Sequence, residues 1–429
     1  MEIRYGLDEH PPLAATLLYG LQWFIIAVPV IVIIGKITAG CQCVDPDDQI
    51  IYLQKMAFLM GLALAVQILW GHRLPIILGP STVLLIGIIA SRNAQPAAID
   101  TAILCGGVLL AVVSLAGLFG HLRLLFTTRI VAVVLLLIAF TLLPPVIELI
   151  AGKGNSASPF FRFLFALVLI LGLFPLQRYL AGIWKSTLIV WAMLFGSIFY
   201  YLIYPEQLDW NSVKTSALAA GFFKDLLPGL SFDPGVMIAF LVCFMALSVN
   251  DLGSIQSVNE ILKPPDAERR VSRGIALTGL ANMASGILGI IGPVNFSLSP
   301  GIIAATGCAS RMTLLPAAAL LCMLAFSPAA IALIAAVPAV VIGSVLTYLL
   351  CSQVAAGLAL LFEEPQGFTF TGGLVVGLPL LMGTMIAFLP AEVILTFPAT
   401  LQPVMGNGFV MGIVAALVLE HGFFKQSGE

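Results

Sequence analysis

The sequence predicts an all-α polytopic membrane protein of fourteen transmembrane spans, arranged as a seven-plus-seven inverted repeat with broken third and tenth spans. Three observations predict it. The 429 residues are 60% hydrophobic and only 9% charged, with a mean hydropathy of +1.09, whereas a soluble domain carries about 25% charged residues. Apolar runs long enough to cross a hydrocarbon core of ~30 Å recur from end to end. Two shorter runs, interrupted by Gly, Pro, Ser and Thr, occupy matching places in the two halves.

The uninterrupted runs lie near residues 13–34, 50–70, 98–120, 129–151, 160–182, 184–204, 234–256, 274–291, 312–326, 328–350, 371–389 and 407–424. The interrupted ones lie near 74–91 and 294–310. The first reads L-G-P-S-T-V-L-L-I-G from Leu78 to Gly87, and the second I-G-P-V-N-F-S-L-S-P-G-I-I-A from Ile291 to Ala304. Gly-Pro, small hydroxyl residues and then an apolar stretch describe a short extended segment followed by a half-helix. Each is third in its set of seven. Seven is odd, so the second set enters the membrane from the opposite side. Matching broken helices in such a repeat point to a transport site. Half-helix starts after Pro80 and Pro300 are expected to aim free N–H groups and partial positive charge at a polar or anionic ligand.

An even number of spans puts both termini on one side. With the termini cytoplasmic, twelve Lys and Arg residues fall inside and seven outside, in keeping with the positive-inside bias of an inner membrane. The run from Lys263 to Arg273 then reads as a topology anchor. The acidic loop with Asp45, Asp47 and Asp48 faces out. A net charge of -2 creates no long-range field, so no nucleic acid is expected as partner. The seven cysteines are scattered, mostly in apolar stretches where Cys packs as a small hydrophobe. Cys41 and Cys43 lack the paired spacing of a zinc site, so neither metal nor cofactor is expected. The N-terminus has no basic segment followed by a cleavage site, which leaves targeting to the first span.

Ionisable residues inside spans are costly and mark function. Asp251, in A-L-S-V-N-D-L-G-S-I-Q, lies far from the ends of its span and is the candidate for ion coupling, the ion being a proton. Glu148, Glu392, His72, His121 and His421 fall near span ends and are expected at the interface. H-E-x-x-H and G-x-S-x-G are both absent, which speaks against an enzyme.

These residues carry a resemblance. P-P-L-A-A-T-L-L-Y-G-L-Q-W-F from Pro11 to Phe24, L-P-I-I-L-G-P-S-T from Leu74 to Thr82, and F-S-L-S-P-G-I-I-A-A-T-G from Phe296 to Gly307 resemble the first, third and tenth spans of the nucleobase–ascorbate transporter family, which includes bacterial uracil and xanthine permeases. The family signature of Gln or Glu, Asn, any residue, Gly and a later Thr falls on Leu298, Ser299, Pro300, Gly301 and Thr306. The family's acidic residue in the eighth span falls on Asn250, three residues before Gly253 and beside Asp251. The resemblance implies a core domain (13–128 and 234–327), a gate domain (129–233 and 328–424), and a homodimer. It implies proton-coupled symport of a planar heterocycle such as uracil or xanthine, bound by Gln22, Ser81, Thr82, Asn250, Ser297, Leu298 and Ser299. The sulfate-permease-like anion transporters share this fold and are the alternative.

Overall fold

The computed structural model describes residues 3–43, 45–117, 125–152, 158–208, 217–218, 220–222, 229–362 and 369–424. Arg123, Lys153, Lys214, Lys224 and Lys425, counted above for orientation, lie outside them, as does His121. The first half contains α1 (Leu13–Gln42), α2 (Pro46–Leu69), β1 (Leu78–Pro80), α3 (Thr82–Ala90), α4 (Pro96–Leu115), α5 (Thr128–Thr141), α6 (Leu143–Ala151), α7 (Pro159–Tyr179), α8 (Gly182–Ser186) and α9 (Leu188–Ile203). The second contains α10 (Pro234–Leu262), α11 (Ala267–Leu288), β2 (Pro293–Asn295), α12 (Ser299–Thr306), α13 (Leu314–Leu324), α14 (Pro328–Ala335), α15 (Ala339–Phe362), α16 (Phe370–Ala387) and α17 (Gly408–Val418).

This is an all-helical polytopic membrane protein. Among the described residues, eight helices are long and apolar enough to cross a membrane, or nine if the bent pair Arg311–Leu324 and Pro328–Ala335 is one span. The chain turns by 100° between the pair. The expected run at 328–350 is corrected by a second break: α14 ends at Ala335 and a new helix starts at Ala339. Lys36 of α1 secures this break, its Nζ donating to Ala335 O (2.7 Å) and Val337 O (3.0 Å). The run at 129–151 is divided at Leu142 into α5 and α6, where Pro144 and Pro145 interrupt the helical bonding. All seven cysteines are free.

Without a hydrophobic drive between helices in lipid, small residues that let backbones touch hold membrane helices together. The seam between α4 and α11 is built this way. A Cβ on Gly107 would lie 2.7 Å from Gly279 O, and one on Gly279 would lie 2.5 Å from Ala111 N. Gly286 comes equally close to Leu104 N and Asp100 O.

A strap formed by the N-terminal residues ties down the far end of α12. Arg4 N–H donates to Gly307 O, Ala309 N–H to Tyr5 O, Arg311 N–H to Leu7 O, and Ser310 Oγ to Glu9 O. Arg311 Nε meets Asp8 Oδ1 at 2.7 Å and holds that carboxyl below its usual range.

Two predictions follow from these contacts. Gly107→Val forces two backbones apart and should cost at least about 3 kcal/mol, the upper part of the overpacking range, read as loss of monodisperse protein in size-exclusion chromatography or a lowered Tm. The Asp8 contribution should be present above the ordinary carboxylate pKa of about 4 and vanish as pH falls through its lower folded value. Amide exchange of Ala309 and Arg311 in Asp8→Asn at pH 7 should therefore match or exceed that of wild type at pH 3 after correction for intrinsic rates.

Candidate functional site

Lipid offers no hydrogen bonds, so extended chain at membrane depth must find its partners in the protein. β1 and β2 supply each other. They pair antiparallel, with Leu78 opposite Asn295, Gly79 opposite Val294 and Pro80 opposite Pro293. Ser81 N–H donates to Gly292 O at 3.0 Å and Phe296 N–H to Ile77 O at 2.9 Å, extending the ladder at both ends. The two prolines need no acceptor for an N–H they lack. Gly79 is needed because a Cβ there would come within 2.6 Å of the Phe296 ring.

Each strand delivers a half-helix. α3 starts at Thr82, with the Ser81 hydroxyl accepting from Leu84 N–H (3.3 Å) as its cap. α12 starts at Ser299, earlier than the expected start after Pro300, which sits in the first turn. Ser299 Oγ accepts from Ile77 N–H (3.1 Å) and donates to Phe296 O (3.0 Å), stitching α12 to the opposite strand. Ser81 and Ser299 are both fully buried. The Ser299 side chain and the Ser81 main-chain N–H therefore help hold the strand pair together, while the Ser81 hydroxyl caps α3.

The two starts place their free donors differently, although the sequence led us to expect the same of both. The N–H groups of Thr82 and Val83 find no acceptor among the described residues. At α12, Ser299 N–H turns back to Phe296 O (3.4 Å), Pro300 has none, and Gly301 N–H is taken by Leu298 O (3.1 Å). Free N–H groups among the described residues therefore lie in the first turn of α3, at Thr82 and Val83, and just before α12, at Ser297 and Leu298.

The elements carrying the other nominated residues converge there. α1 packs on β1 and α3, and α10 packs on α3, β2 and α12. Gln22 of α1 is buried, and its Nε2 donates to Ser186 Oγ on α8 at 3.1 Å. Asn250 of α10 is half-buried, and its side-chain amide has no partner among the described residues. Ser297 is exposed and Leu298 half-buried at the start of α12.

Asp251 follows Asn250 by about 100° around the helix and is fully buried. Its Oδ1 accepts from Asn295 N–H (2.9 Å) and Asn295 Nδ2 (2.8 Å), so the carboxylate grips β2, while Oδ2 has no partner. Asn295 Oδ1 faces His72 Nε2 at 3.2 Å. His72 Nδ1 accepts from Leu74 N–H, which places the ring proton on Nε2 and orients the Asn295 amide. Thr278 and Gln67 complete the network through Thr278 Oγ1, at 3.4 Å from Asn295 Nδ2 and 3.1 Å from Gln67 Nε2. His72, expected at an interface, is fully buried in this network. His72, Asn295, Thr278 and Gln67 were not among the nominated residues. Only Asn295 left a signal, as the one amide inside the second interrupted run.

Asn295→Leu should remove the Nδ2 donor from the buried Asp251 oxygen, which keeps the main-chain N–H of residue 295, and leave His72 Nε2 unpaired. The expected loss is about 2 kcal/mol, because buried polar groups on two neighbours each lose a partner. Thermal unfolding in detergent tests it, and a Tm within 1 °C of wild type would refute the role given to this network.

Comparison with known proteins extends the picture beyond geometry. Residues 14–392 match the model of the Permease family that covers xanthine and uracil permeases. A Clostridium perfringens protein provisionally named a purine permease is 26% identical, over 99% of this chain and 93% of that one. The Xanthine permease of Bacillus subtilis is 23% identical, over 87% of this chain and 85% of that one. In fold, the chain is similar to the transmembrane domain of a cyanobacterium bicarbonate transporter, BicA, at a TM-score of 0.62 and 14% identity over 87% of this chain and 96% of that one. With the crossed strands, the two half-helices and a family match over most of its length, the chain belongs to the xanthine/uracil permease family and is a transporter rather than an enzyme.

Proposed function

We propose that the protein is a secondary active transporter that couples a proton to the passage of a uracil- or xanthine-type nucleobase across the inner membrane, with both termini cytoplasmic. The carrying observation is the α3 start, where two unpaired N–H groups lie among elements that bring the amides of Gln22 and Asn250. Nucleobase edges alternate ring carbonyls and N–H groups, which such donors and amides match. Thr82, Gln22, Asn250, Ser297 and Leu298 are assigned to the ligand. Ser81 and Ser299 keep the strands in place beneath it, and Asp251 carries the coupling proton.

The fourteen-span inverted repeat belongs to the same reading. Lys55 of α2 stands as many residues before Leu78 as Arg270 of α11 stands before Pro293, and each caps the other repeat. Lys55 Nζ donates to Leu288 O (3.3 Å), and Arg270 Nη1 donates to His72 O (3.3 Å) and Arg73 O (2.9 Å). Gln67 and Asn282 correspond by the same spacing. This reciprocity supports two copies of one unit, with residues 13–128 and 234–327 forming the core and 129–233 and 328–424 the gate. We assign the exposed apolar side chains of α7, which include Phe160, Phe163 and Leu171, to lipid or to the second copy of a homodimer.

Uptake of xanthine, uric acid, uracil, bicarbonate and sulfate into proteoliposomes, with and without an imposed pH gradient, tests this reading. Nucleobase accumulation that follows the pH gradient is the expected result, and uptake of the anions alone would replace it with anion transport. Asn250→Leu should weaken apparent affinity by about 1 to 3 kcal/mol, the cost of an unmatched buried polar group. Asp251→Asn keeps the acceptor that Asn295 needs, so exchange should persist while gradient-driven accumulation disappears. Accumulation at the wild-type level in that variant would remove Asp251 from coupling.

A further inference from the structure

We propose that Ser186 is a latch residue, holding the Gln22 amide in the ligand-free protein until the substrate displaces it. The inference rests on the reading above in which Gln22 contacts substrate. Gln22 Nε2 donates to Ser186 Oγ at 3.1 Å, and the Ser186 hydroxyl spends its own proton on Ile183 O at 3.0 Å. Ser186 is thus an acceptor toward Gln22, the same role a ring carbonyl of a nucleobase would fill. The bond runs side chain to side chain between the spans assigned to the core and those assigned to the gate.

The element that carries Ser186 is built to move as one piece with α9. Gly182, at a φ of +57°, turns the chain out of α7 into α8. Trp184 of α8 stacks on Trp191 of α9 at 5.2 Å and 27°, and Trp191 stacks on Phe195 at 5.7 Å and 20°. Trp191 Nε1 also donates to Thr187 Oγ1 at 3.1 Å, at the junction of the two helices. α8 in turn rests on α12, one of the two half-helices. A displacement of α9 therefore carries Ser186 away from Gln22.

Room for that displacement lies next to the latch. An apolar cavity of 730 Å³ is lined by α1, at Phe24, Val28 and Pro29, and by α9, at Val190, Met193 and Leu194. Gln22 is less than one turn from Phe24. The hydrogen bond joins α1 to α8 at one end, and the cavity lies between α1 and α9 along the next turns. Exchange of one acceptor for another on Gln22 costs little in hydrogen bonding, so the ligand can open a contact that stays closed in its absence.

Ser186→Ala and Gln22→Met, alone and together, test the latch in the full-length protein. In the ligand-free protein the two substitutions should be non-additive in Tm, with Ser186→Ala costing less in the Gln22→Met background. Saturating xanthine should erase the interaction between them. Ser186→Ala should also lower the KM for xanthine uptake about threefold to tenfold, the worth of one released hydrogen bond, without lowering Vmax. A merely structural serine would lower Tm equally with and without xanthine and leave KM unchanged. Additive Tm effects or an unchanged KM in Ser186→Ala would overturn the proposal. An unchanged KM in Gln22→Met would remove Gln22 from the ligand and the competition with it. If wild type takes up neither xanthine nor uric acid nor uracil, the nucleobase reading fails and substrate displacement is overturned with it, while the ligand-free Tm cycle still decides whether the two side chains are coupled.

Discussion

Extended backbone cannot stand alone in a bilayer, and most of the central architecture follows from how this chain meets that constraint. β1 and β2 come from distant parts of the sequence, yet each is the other's source of hydrogen bonds. Their pairing fixes where α3 and α12 begin. Ser81 and Ser299 reinforce it, one by capping its own half-helix and the other by reaching across to Ile77. Asp251 and Asn295 brace β2 from behind, and His72 fixes the orientation of that brace. A ligand at the half-helix starts would thus lie over a platform whose polar groups are largely committed, leaving a few N–H groups and amides on offer.

That economy bears on specificity. The fold is shared, at 14% identity, with the transmembrane domain of a bicarbonate transporter, so the scaffold alone does not select a substrate. What differs from site to site must be the side chains and the unpaired N–H groups around the strand crossing. Here free backbone donors lie in the first turn of α3, at Thr82 and Val83, and just before α12, at Ser297 and Leu298, while the first turn of α12 folds its own donors back at Phe296 and Leu298.

How far this was legible in the sequence depends on whether the cause is local. Leu78-Gly79-Pro80-Ser81-Thr82 announces a broken helix because Gly and Pro disrupt helical bonding wherever they sit, and the helix start at Thr82 follows. Hydropathy located the starts of α1, α2, α4 and α10 within a few residues, and the ends of α1 and α10 less closely. It misread 328–350, since the break after Ala335 sits in a uniformly apolar stretch, beside the lysine of a distant helix. The different placement of the free donors at the two half-helix starts could not be read either, because it turns on the backbone path around Leu298. Asp251 stood out as a carboxylate in a span, but its tie to Asn295 and through it to His72 is tertiary, so His72 read as an interfacial residue.

The glycine seam between α4 and α11 has a further consequence. Side-chain interfaces can slip, because a residue may change rotamer and settle into a neighbouring groove. Gly107 and Gly279 have no rotamers, and the opposing atoms are backbone. Two helices joined in this way keep one separation whatever the remainder of the molecule does. The seam is a built-in fixed length, and a pair of spectroscopic probes placed on its two outer faces would serve as the internal standard against which any movement of the remaining helices could be calibrated.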